Sequence, residues 1–325
     1  MISKLQFYIS DCLDPYTNLA TEKYLLDNVS DDEVILYLWQ NQNTVVIGKN
    51  QNALAECRCS LLEKEGGKLA RRLSGGGSVF HDIGNLNFTF ICESKNYDLS
   101  RQMEVIQKAC LLAGISAEVS GRNDILSDGK KFSGNAFYNS KGKSYHHGTI
   151  LISADKEKLQ RYLTPPKAKL LSKGVKSVKS RVINLSEIAP DLTTSKMKEY
   201  MLTAFKQVYA LSPTPYNITD TKEIESLSEK YSAWEYLYAP SFPFSFSCEG
   251  NFPWGNIEIQ LDVKSGVIQS AKIYTDAMDW TVSPLMEEAL KGCVFRINEI
   301  ENALSKKLDE VTFSDILALL KKNCF

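Results

Sequence analysis

The residues most able to do chemistry lie in a glycine-rich segment, RRLSGGGSVFHDIGN, at positions 71–85. Its three consecutive glycines can adopt positive φ values and bring main-chain N–H groups close to an anionic or planar ligand. Arg71 and Arg72 add fixed positive charge and planar donors suited to phosphate or carboxylate. A flexible turn beside a solvated arginine pair has the same composition, and the spacing matches neither the P-loop nor the GxGxxG pattern. The glycines alone therefore do not name a ligand.

A second cluster combines small and basic residues, GRND at 121–124 and GKKFSGNA at 129–136. A lysine at the start of a strand, among small neighbours, can extend its ammonium group into a cleft. Beside a carboxylate and an α-phosphate, it would offset the charge that builds up as oxygen attacks phosphorus. Lys130 and Lys131 are also compatible with the basic end of a surface hairpin, so this cluster needs support from the others.

Two further motifs are HHGT at 146–149 and a basic stretch at 167–181. Adjacent residues of a strand point to opposite faces, so at most one of His146 and His147 faces a given site. This spacing is also poor for shared zinc ligation, and we expect one imidazole to be a packed structural residue. The basic stretch has six Lys or Arg residues and no acidic one, which fits a triphosphate, an acidic protein partner or a solvated loop.

The elements that would position these motifs follow from the periodicity of apolar residues. In the segment 85–90, three apolar residues alternate with Asn85, Asn87 and Thr89, which predicts a strand with one core face and one polar face. Mixed strands and helices with hairpin-like connections favour an α+β fold over a regular parallel series. Further strands are expected at 4–9, 34–38, 44–47 and 145–152, and helices at 15–28, 99–113 and 155–163.

A change in composition between residues 239 and 253, where three prolines occur, marks a domain boundary. We place it so that residues 1–243 form one domain and residues 244–325 a second. In the second domain, alternation at 257–263, a turn at 264–266 and a strand at 267–274 predict a hairpin. Three short helices should follow, the last opened by Thr312 with Asp315 three residues later, a capping-box pattern.

Composition excludes several classes of function. The 325 residues suffice for two domains, and a net charge of −1 argues against non-specific nucleic-acid binding. No apolar run approaches the ~18–20 residues of a membrane span, and the first residues lack the pattern of a signal peptide. The eight cysteines contain no Cys-x-x-Cys pair, as expected for reduced thiols in a cytoplasmic protein rather than for disulfides or a zinc site.

Taken together, five segments closely resemble the lipoate–protein ligase A family, in the family's order and with about its separations. The resemblance covers about the first 240 residues, and the remainder looks like the family's small accessory domain. It implies a mixed-sheet α+β catalytic domain of the biotin/lipoate ligase type, followed by a small α+β accessory domain that changes orientation between two reaction steps. The segments are RRLSGGGSVFHDIGN at 71–85, GRND at 121–124, KFSGNA at 131–136, HHGT at 146–149 and KGVKSVKSRVINL at 173–185.

The resemblance implies an ATP-dependent ligase. Such an enzyme joins lipoate to ATP as lipoyl-AMP, releases pyrophosphate, and transfers the lipoyl group to a specific lysine of an acceptor protein. The implied acceptors are lipoyl domains of 2-oxoacid dehydrogenase E2 subunits or the glycine-cleavage H protein, with no nucleic-acid or membrane partner. ATP and Mg²⁺ would be required, with lipoate as substrate and no bound redox cofactor.

The resemblance also implies roles for single residues. Lys131 would be the catalytic residue at the reacting carboxylate, in contact with both lipoate and nucleotide. Asp124 would contact the magnesium ion, and the segment 173–185 would order over the adenylate. The other residues implied for ATP are Lys49, Arg72, Gly77, Ser78, Val79 and Phe80. Those implied for lipoate, besides Lys131, are Ser74, Gly75, Gly76 and His81.

Other functions stay open at this point. A related acyltransferase would move octanoyl or lipoyl groups from a carrier without ATP, in some relatives through a cysteine thioester. Cys57, Cys59, Cys92 and Cys110 are available, but none lies in a motif tied to catalysis, and Cys110 fits the core of a helix. A protein that only binds lipoyl-adenylate is a further hypothesis, against which Lys131 argues. A biotin ligase is less well supported, because that family's glycine–arginine loop pattern is missing.

Overall fold

The computed structural model describes residues 2–121, 123–163, 182–238, 246–264 and 266–324. Both the boundary placed between residues 243 and 244 and the basic stretch 167–181 lie outside the described residues. So does the part of the segment 173–185 that precedes residue 182.

The strands of the described chain are β1 (Lys4–Ile9), β2 (Glu33–Trp39), β3 (Thr44–Ile47), β4 (Lys68–Arg71), β5 (Val79–His81), β6 (Asn85–Glu93), β7 (Glu118–Ser120), β8 (Asp124–Ser127), β9 (Lys130–Ser140), β10 (Lys143–Leu151), β11 (Thr214–Pro215), β12 (Phe246–Phe252), β13 (Gly255–Lys264) and β14 (Val267–Thr275). The helices are α1 (Pro15–Asn28), α2 (Ala53–Glu56), α3 (Cys59–Lys64), α4 (Leu99–Leu112), α5 (Lys156–Tyr162), α6 (Thr194–Tyr209), α7 (Lys222–Ser232), α8 (Trp234–Tyr238), α9 (Val282–Leu290), α10 (Ile297–Leu304) and α11 (Glu310–Cys324).

An eight-stranded mixed sheet, in the order β11-β1-β2-β6-β10-β9-β8-β7, forms the first unit. Helices α4 and α6 cover one face, where Leu36, Phe88 and Phe205 belong to one apolar core. Helices α1 and α7, with a small sheet of order β4-β3-β5, cover the other face. The central strands are therefore buried on both faces, and every residue of β2 is buried. This architecture confirms the α+β mixed sheet expected from the sequence.

Local signals in the sequence explain where several helices begin and end. The carboxylate of Asp14 accepts the N–H groups of Tyr16 and Thr17, each at 3.0 Å, so it caps α1 as expected from the Asp-Pro pair. Helix α4 ends at Leu112, and Gly114 follows with a φ of 76°, the left-handed conformation that glycine adopts readily.

The second unit is an antiparallel sheet, β12-β13-β14, with three helices packed around an apolar core. The hairpin and the three helices agree with the sequence, but the predicted start of the last helix is wrong. Asp309 accepts the N–H groups of Val311 and Thr312 at 3.0 and 3.1 Å, so α11 begins before Thr312. Asp315 instead accepts the indole N–H of Trp254 at 2.8 Å. Asp309 is an equally good cap that comes earlier in the chain.

Helices long and apolar enough to cross a bilayer do not occur in the described part of the chain.

Candidate active site

The floor of the candidate site is a row of residues that crosses four adjacent strands. Trp39 on β2 pairs with Asn87 on β6, and Asn87 pairs with Thr149 on β10. The Thr149 hydroxyl accepts the N–H of Gly134 on β9 at 3.2 Å, which extends the row by one strand. Residues that pair across strands project to the same face. The cavity above them, of about 240 Å³, therefore runs across the strands from Trp39 to Gly134.

The loop between β4 and β5 lies over this floor and is folded around the guanidinium of Arg72. The Nε atom donates to Ser74 Oγ at 3.1 Å, and Nη2 donates to the carbonyl oxygens of Gly75 and Gly77, each at 2.7 Å. Nη1 donates to the carbonyl oxygen of Val46 at 3.2 Å. Burial lowers the pKa of Arg72 to about 10, which leaves it protonated at neutral pH. Arg72 thus supplies the cavity with buried positive charge and also fixes the shape of the loop.

Arg71 holds a neighbouring segment. Its Nη1 atom donates to the carbonyl oxygens of Gly48, Lys49 and Gln51 at 3.2, 2.9 and 2.7 Å. Its Nε atom donates to the carbonyl oxygen of Tyr236 at 3.0 Å. The two arginines are therefore buried and bonded to main-chain oxygens, which excludes the alternative of a solvated pair beside a flexible turn.

A buried polar chain connects the glycine loop to helix α1. His147 Nε2 lies 2.7 Å from Ser74 Oγ, and His147 Nδ1 lies 2.8 Å from Glu22 Oε1. Glu22 also accepts the hydroxyl of Thr89 at 2.8 Å, and the oxygen of that hydroxyl accepts the indole N–H of Trp39 at 3.1 Å. All five side chains are buried. The carboxylate thus orients the imidazole, and the imidazole orients the serine that begins the glycine loop.

The two adjacent histidines of β10 point to opposite faces of the sheet, as the alternation of strand residues predicts. His147 lines the cavity. His146 lies on the other face, 3.2 Å from Gln102 Oε1 and 2.9 Å from Asn135 Oδ1, with its ring stacked on Phe90. His146 is therefore the packed structural residue of the pair.

Lys131 and Asp124 form an ion pair at the β9 end of the cavity. The Lys131 Nζ atom lies 2.6 Å from Asp124 Oδ1, and both side chains are partly exposed. Gly134 leaves room for this ammonium, because a Cβ atom at that position would lie 2.9 Å from Nζ. The N–H of Ile183 donates to the carbonyl oxygen of Lys131 at 2.9 Å. The described end of the segment 173–185 thus reaches the strand that carries Lys131.

The second unit contacts the glycine loop through the chain that follows β14. The N–H of Gly76 donates to the carbonyl oxygen of Ala277 at 3.0 Å. The Asn50 side-chain amide donates to the carbonyl oxygen of Trp280 at 2.7 Å, and the N–H of Thr275 donates to the carbonyl oxygen of Asn50 at 2.8 Å. These three hydrogen bonds join the two units at the rim of the cavity.

Side chains of the second unit also contribute to the site. Asp276 and Met278 line the cavity. The indole of Trp280 stacks on Tyr138 with ring centroids 5.3 Å apart, and the Lys49 ammonium lies 4.8 Å from the centroid of the Trp280 ring. Burial lowers the pKa of Lys49. Lys49 therefore lies at the contact between the units and not among the described residues that line the cavity.

The structure places most of the site residues expected from the sequence in the wall of the cavity. The others lie outside it. The expected residues that line the cavity are Arg72, Gly76, Gly77, Ser78, Val79, His81, Asp124 and Lys131. Ser74 and Gly75 support the loop from outside the cavity. The ring of Phe80 packs on Tyr162, with centroids 5.5 Å apart, on the far side of the small sheet. Cavity residues that the sequence did not single out as site residues include Leu19, Trp39, Asn87, Asp276 and Met278.

The cysteines proposed for a thioester mechanism do not face this cavity. Cys57, Cys59, Cys92 and Cys110 are all buried, and none belongs to the cavity wall formed by the described residues. Burial raises the pKa values of Cys92 and Cys110 to about 12, so neither is a thiolate at neutral pH. The cavity therefore offers no described cysteine as an acyl acceptor.

Among the described residues, side chains alone do not form a metal centre. The described residues contain no group of three or more His, Cys, Asp or Glu side chains arranged to hold a metal ion. Asp124 lines the cavity, and Mg²⁺ commonly binds through one or two carboxylates together with substrate phosphates. The Asp124 carboxylate therefore fits an ion that arrives with a nucleotide.

Two of the three buried histidines, His81 and His146, predict a loss of stability in mild acid. Burial lowers the pKa values of His81 and His146 to about 3, whereas the unfolded chain binds these protons near pH ~6.5. Their neutral forms therefore stabilise the fold fully above pH ~6.5, and this stability is lost as the pH falls towards 3. Between pH ~6 and ~5, where the unfolded chain binds most of these protons, we expect the free energy of unfolding to fall by roughly 1 kcal/mol per pH unit for each histidine.

Urea unfolding at pH 7, 6 and 5 measures this slope above the range in which carboxylates titrate. A His146→Asn variant retains only His81 as a buried histidine of this kind, so its slope should be about half that of the wild type. A stability that stays constant between pH 7 and 5 would contradict the prediction.

Comparison with known proteins agrees with these features. The family model "Lipoyl protein ligase A/B catalytic domain" matches residues 14–206, and "Bacterial lipoate protein ligase C-terminus" matches residues 241–320. The chain is 38% identical to the "Lipoate-protein ligase A" of Bdellovibrio bacteriovorus over 312 residues, which are 93% of this chain and 92% of that protein.

Solved structures show the same likeness. The crystal structure of P. falciparum LipL1 in complex with lipoate has 28% identity and a TM-score of 0.87, and the match covers 98% of this chain and 99% of that one. A bi-partite lipoate protein ligase from Thermoplasma acidophilum, described with its E2 lipoyl domain, has 25% identity and a TM-score of 0.64. That match covers 76% of this chain and 100% of the archaeal one. The catalytic-domain match over more than half of the sequence, and the 38% identity to the Bdellovibrio protein, show that the chain belongs to the lipoate–protein ligase A family.

Proposed function

We propose that this protein activates lipoate with ATP as lipoyl-AMP and transfers the lipoyl group to a lysine of a lipoyl domain. The observation that carries the proposal is the polarity of the cavity, which has an ammonium group at one end and the Trp39 and Leu19 side chains at the other. A carboxylate with a long hydrocarbon arm matches that polarity. The similar P. falciparum protein was crystallised in complex with lipoate, which supports the same substrate here.

In the first step, a lipoate carboxylate oxygen attacks the α-phosphorus of ATP. A new P–O bond forms, the bond to the β-phosphate breaks, and pyrophosphate leaves. Lys131 and Arg72 supply positive charge where negative charge collects, which stabilises the transition state more than the ground state. Gly77 and Ser78 line the cavity, and their N–H groups would approach the phosphate, as those of glycine-rich loops commonly do.

In the second step, the amine of the acceptor lysine attacks the acyl carbon of the adenylate. The C–N bond forms, the C–O bond to AMP breaks, and the amine loses a proton. Lys131, beside the former carboxylate, stabilises the oxyanion that develops on the acyl oxygen. Closure over the adenylate would exclude water, which otherwise hydrolyses such an anhydride.

We propose that Mg²⁺ acts with the nucleotide and that Asp124 contacts it. Asp124 would help to hold the ion, and the ion would supply positive charge beside the phosphates where the bond between the α- and β-phosphates of ATP breaks. Because Asp124 is paired with Lys131, this assignment requires the ammonium to move towards the reacting carboxylate when the nucleotide enters.

We also propose residues 1–243 as the catalytic domain and residues 244–325 as the accessory domain. The acceptors would be lipoyl domains of 2-oxoacid dehydrogenase E2 subunits or the glycine-cleavage H protein. Support for the first class comes from the archaeal ligase that was described with its E2 lipoyl domain.

A lipoate-dependent exchange of labelled pyrophosphate into ATP tests the proposal directly. Lipoate, octanoate and biotin should be compared, with lipoylation of a purified lipoyl domain measured in parallel. We expect exchange with lipoate and none with biotin. An acyltransferase that takes its acyl group from a carrier would modify the lipoyl domain without any exchange, and a binding protein would do neither. Both of these outcomes would overturn the proposal.

A further inference from the structure

Two buried nitrogen atoms at the Trp39 end of the cavity have no hydrogen-bond partner among the described residues. They are Nε2 of His81 and Nδ2 of Asn87. Both side chains line the cavity, and they are only 3% and 1% exposed. Buried polar groups are almost always paired in folded proteins. These two atoms therefore indicate that the molecule bound in the cavity supplies their partners.

The hydrogen-bond network determines which nitrogen of His81 carries the proton. Asn18 Nδ2 donates to the carbonyl oxygens of Cys12 and Gln40, each at 2.9 Å, and lies 3.0 Å from Asn41 Oδ1. Asn41 consequently presents its own Nδ2 to His81 Nδ1 at 3.2 Å. Nδ1 accepts this bond, so the hydrogen of the neutral ring is on Nε2. Because burial lowers the pKa of His81 to about 3, the ring is neutral and Nε2 is a donor.

The amide of Asn87 has one side-chain partner, Asn85, and in this structure its nitrogen faces the cavity. Its Oδ1 atom accepts the side-chain N–H of Asn85 at 2.9 Å, and Asn87 Nδ2 and Asn85 Oδ1 both lack a partner among the described residues. The cavity end near Trp39 therefore presents two N–H donors from these side chains. Elsewhere this end is apolar, with Leu19 and the Trp39 ring in the wall.

The distance between these donors and Lys131 suits one substrate. Asn87 lies two strands away from Gly134, the residue over which the Lys131 ammonium extends. At ~4.8 Å between neighbouring strands, the separation is about 10 Å. That is close to the length of an extended lipoate molecule, so a lipoate whose carboxylate meets Lys131 places its ring beside His81 and Asn87.

We propose that the N–H groups of His81 and Asn87 bind the ring sulfur atoms of lipoate and so select it over a hydrocarbon acid of the same shape. The inference rests on the proposed function. A disulfide sulfur is a weak hydrogen-bond acceptor and carries no donor, which matches two N–H groups. A saturated ring or chain fills the same space but leaves both donors buried and unpaired. A site built around polar groups discriminates in this way against analogues that lack the partner atoms.

The test uses a substrate that differs from lipoate only in its sulfur atoms. In 5-cyclopentylpentanoate, two methylene groups replace the two sulfurs, while the ring and the arm are retained. For the wild-type protein we expect kcat/KM in pyrophosphate exchange to be about tenfold or more higher with lipoate than with this carbocycle. Equal values would overturn the inference, including the case in which the two donors merely hold a water molecule.

Two variants assign the preference to Asn87. In Asn87→Leu the donor is lost, and we expect the ratio of the two kcat/KM values to fall at least about fivefold, mainly because lipoate becomes a poorer substrate. Asn87→Asp retains an oxygen for the Asn85 bond but replaces the donor, so its ratio should also fall. Leu19→Val is the matched control, because it changes the cavity shape without removing a donor. It should lower both kcat/KM values by a similar factor.

The outcomes separate this inference from the proposed function. If the wild-type protein shows no exchange with either acid, the proposed function is wrong. If it shows exchange with both acids at equal efficiency, the proposed function stands and the sulfur contact is wrong. A ratio that is unchanged in both Asn87 variants would likewise exclude Asn87 as the source of the preference.

Discussion

Replacement of Lys131 by methionine is expected to lower the rate of lipoate-dependent pyrophosphate exchange by about 100-fold or more. Methionine retains much of the length of the side chain but removes the ammonium group. The positive charge is then absent at the point where carboxylate and α-phosphate, both anionic, must approach each other. Arg72 cannot take over this role, because its donors are bonded to Ser74 and to carbonyl oxygens of the loop.

Lys130 supplies the matched control. It is the preceding residue of β9, it is exposed, and strand geometry directs its side chain to the opposite face. Lys130→Met removes the same charge from the same strand, and we expect exchange to stay within about twofold of the wild-type rate, as is usual for an exposed residue outside the site.

For Lys131→Met, an effect on catalysis can be separated from an effect on folding. The Lys131–Asp124 pair is partly exposed, so its loss should change the free energy of unfolding by no more than about 1 kcal/mol. Thermal unfolding checks that the variant is folded before the rates are compared. If folded Lys131→Met protein exchanges pyrophosphate at nearly the wild-type rate, the proposed mechanism is wrong, although the fold and the family would stand.

Local features of the site could be predicted from the sequence because they depend on residues close together in the chain. The Asp-Pro pair before α1 caps that helix, and the alternation at β10 directs one histidine into the cavity and the other into the core. The alternation at 85–90 also placed Asn87 on a polar face. In these cases the backbone geometry of a single element determines which way a side chain points.

The remaining features depend on contacts between distant segments. The polar face of β6 is buried and forms the cavity floor, because this strand is paired on both sides and covered on both faces. The sequence predicted a donor role for Arg72 but not that the loop's own carbonyl oxygens accept most of its bonds. Met278 enters the wall from the second unit, more than a hundred residues beyond the glycine loop, and no local pattern marks it. The position of Met278 follows from how the two units pack together.

That packing is tested by Gly75→Ala, for which we expect the rate of pyrophosphate exchange to fall roughly 10- to 100-fold. A Cβ atom on Gly75 would lie 2.1 Å from the carbonyl oxygen of Ala277 and 2.7 Å from that of Met278. Both atoms belong to the main chain, so no change of rotamer relieves the overlap. Gly75 does not have a positive φ, unlike Gly76, so alanine fits the conformation of the loop itself. The clash is therefore specific to the contact between the two units.

Relief of this clash requires the chain after β14 to move away from the glycine loop. The bond from the Gly76 N–H to the Ala277 carbonyl oxygen would then break, and the wall formed by Asp276 and Met278 would retreat from the cavity. The expected loss of activity follows from this displacement, because a shift of about 1 Å in a positioned group costs on the order of 100-fold in rate. The Arg72 bonds within the loop should persist, so the first unit should remain folded.

Hydrogen exchange followed by mass spectrometry measures the contact itself. We expect the amide of Gly76 to exchange faster in Gly75→Ala than in the wild type, because its acceptor is withdrawn. Met278→Ala is the control for this measurement: it shortens a side chain in the same wall but leaves the main-chain bond to Ala277 in place, so exchange at Gly76 should not change. If Gly75→Ala leaves both the Gly76 amide and the pyrophosphate exchange rate as they are in the wild type, the second unit does not rest on the glycine loop during activation.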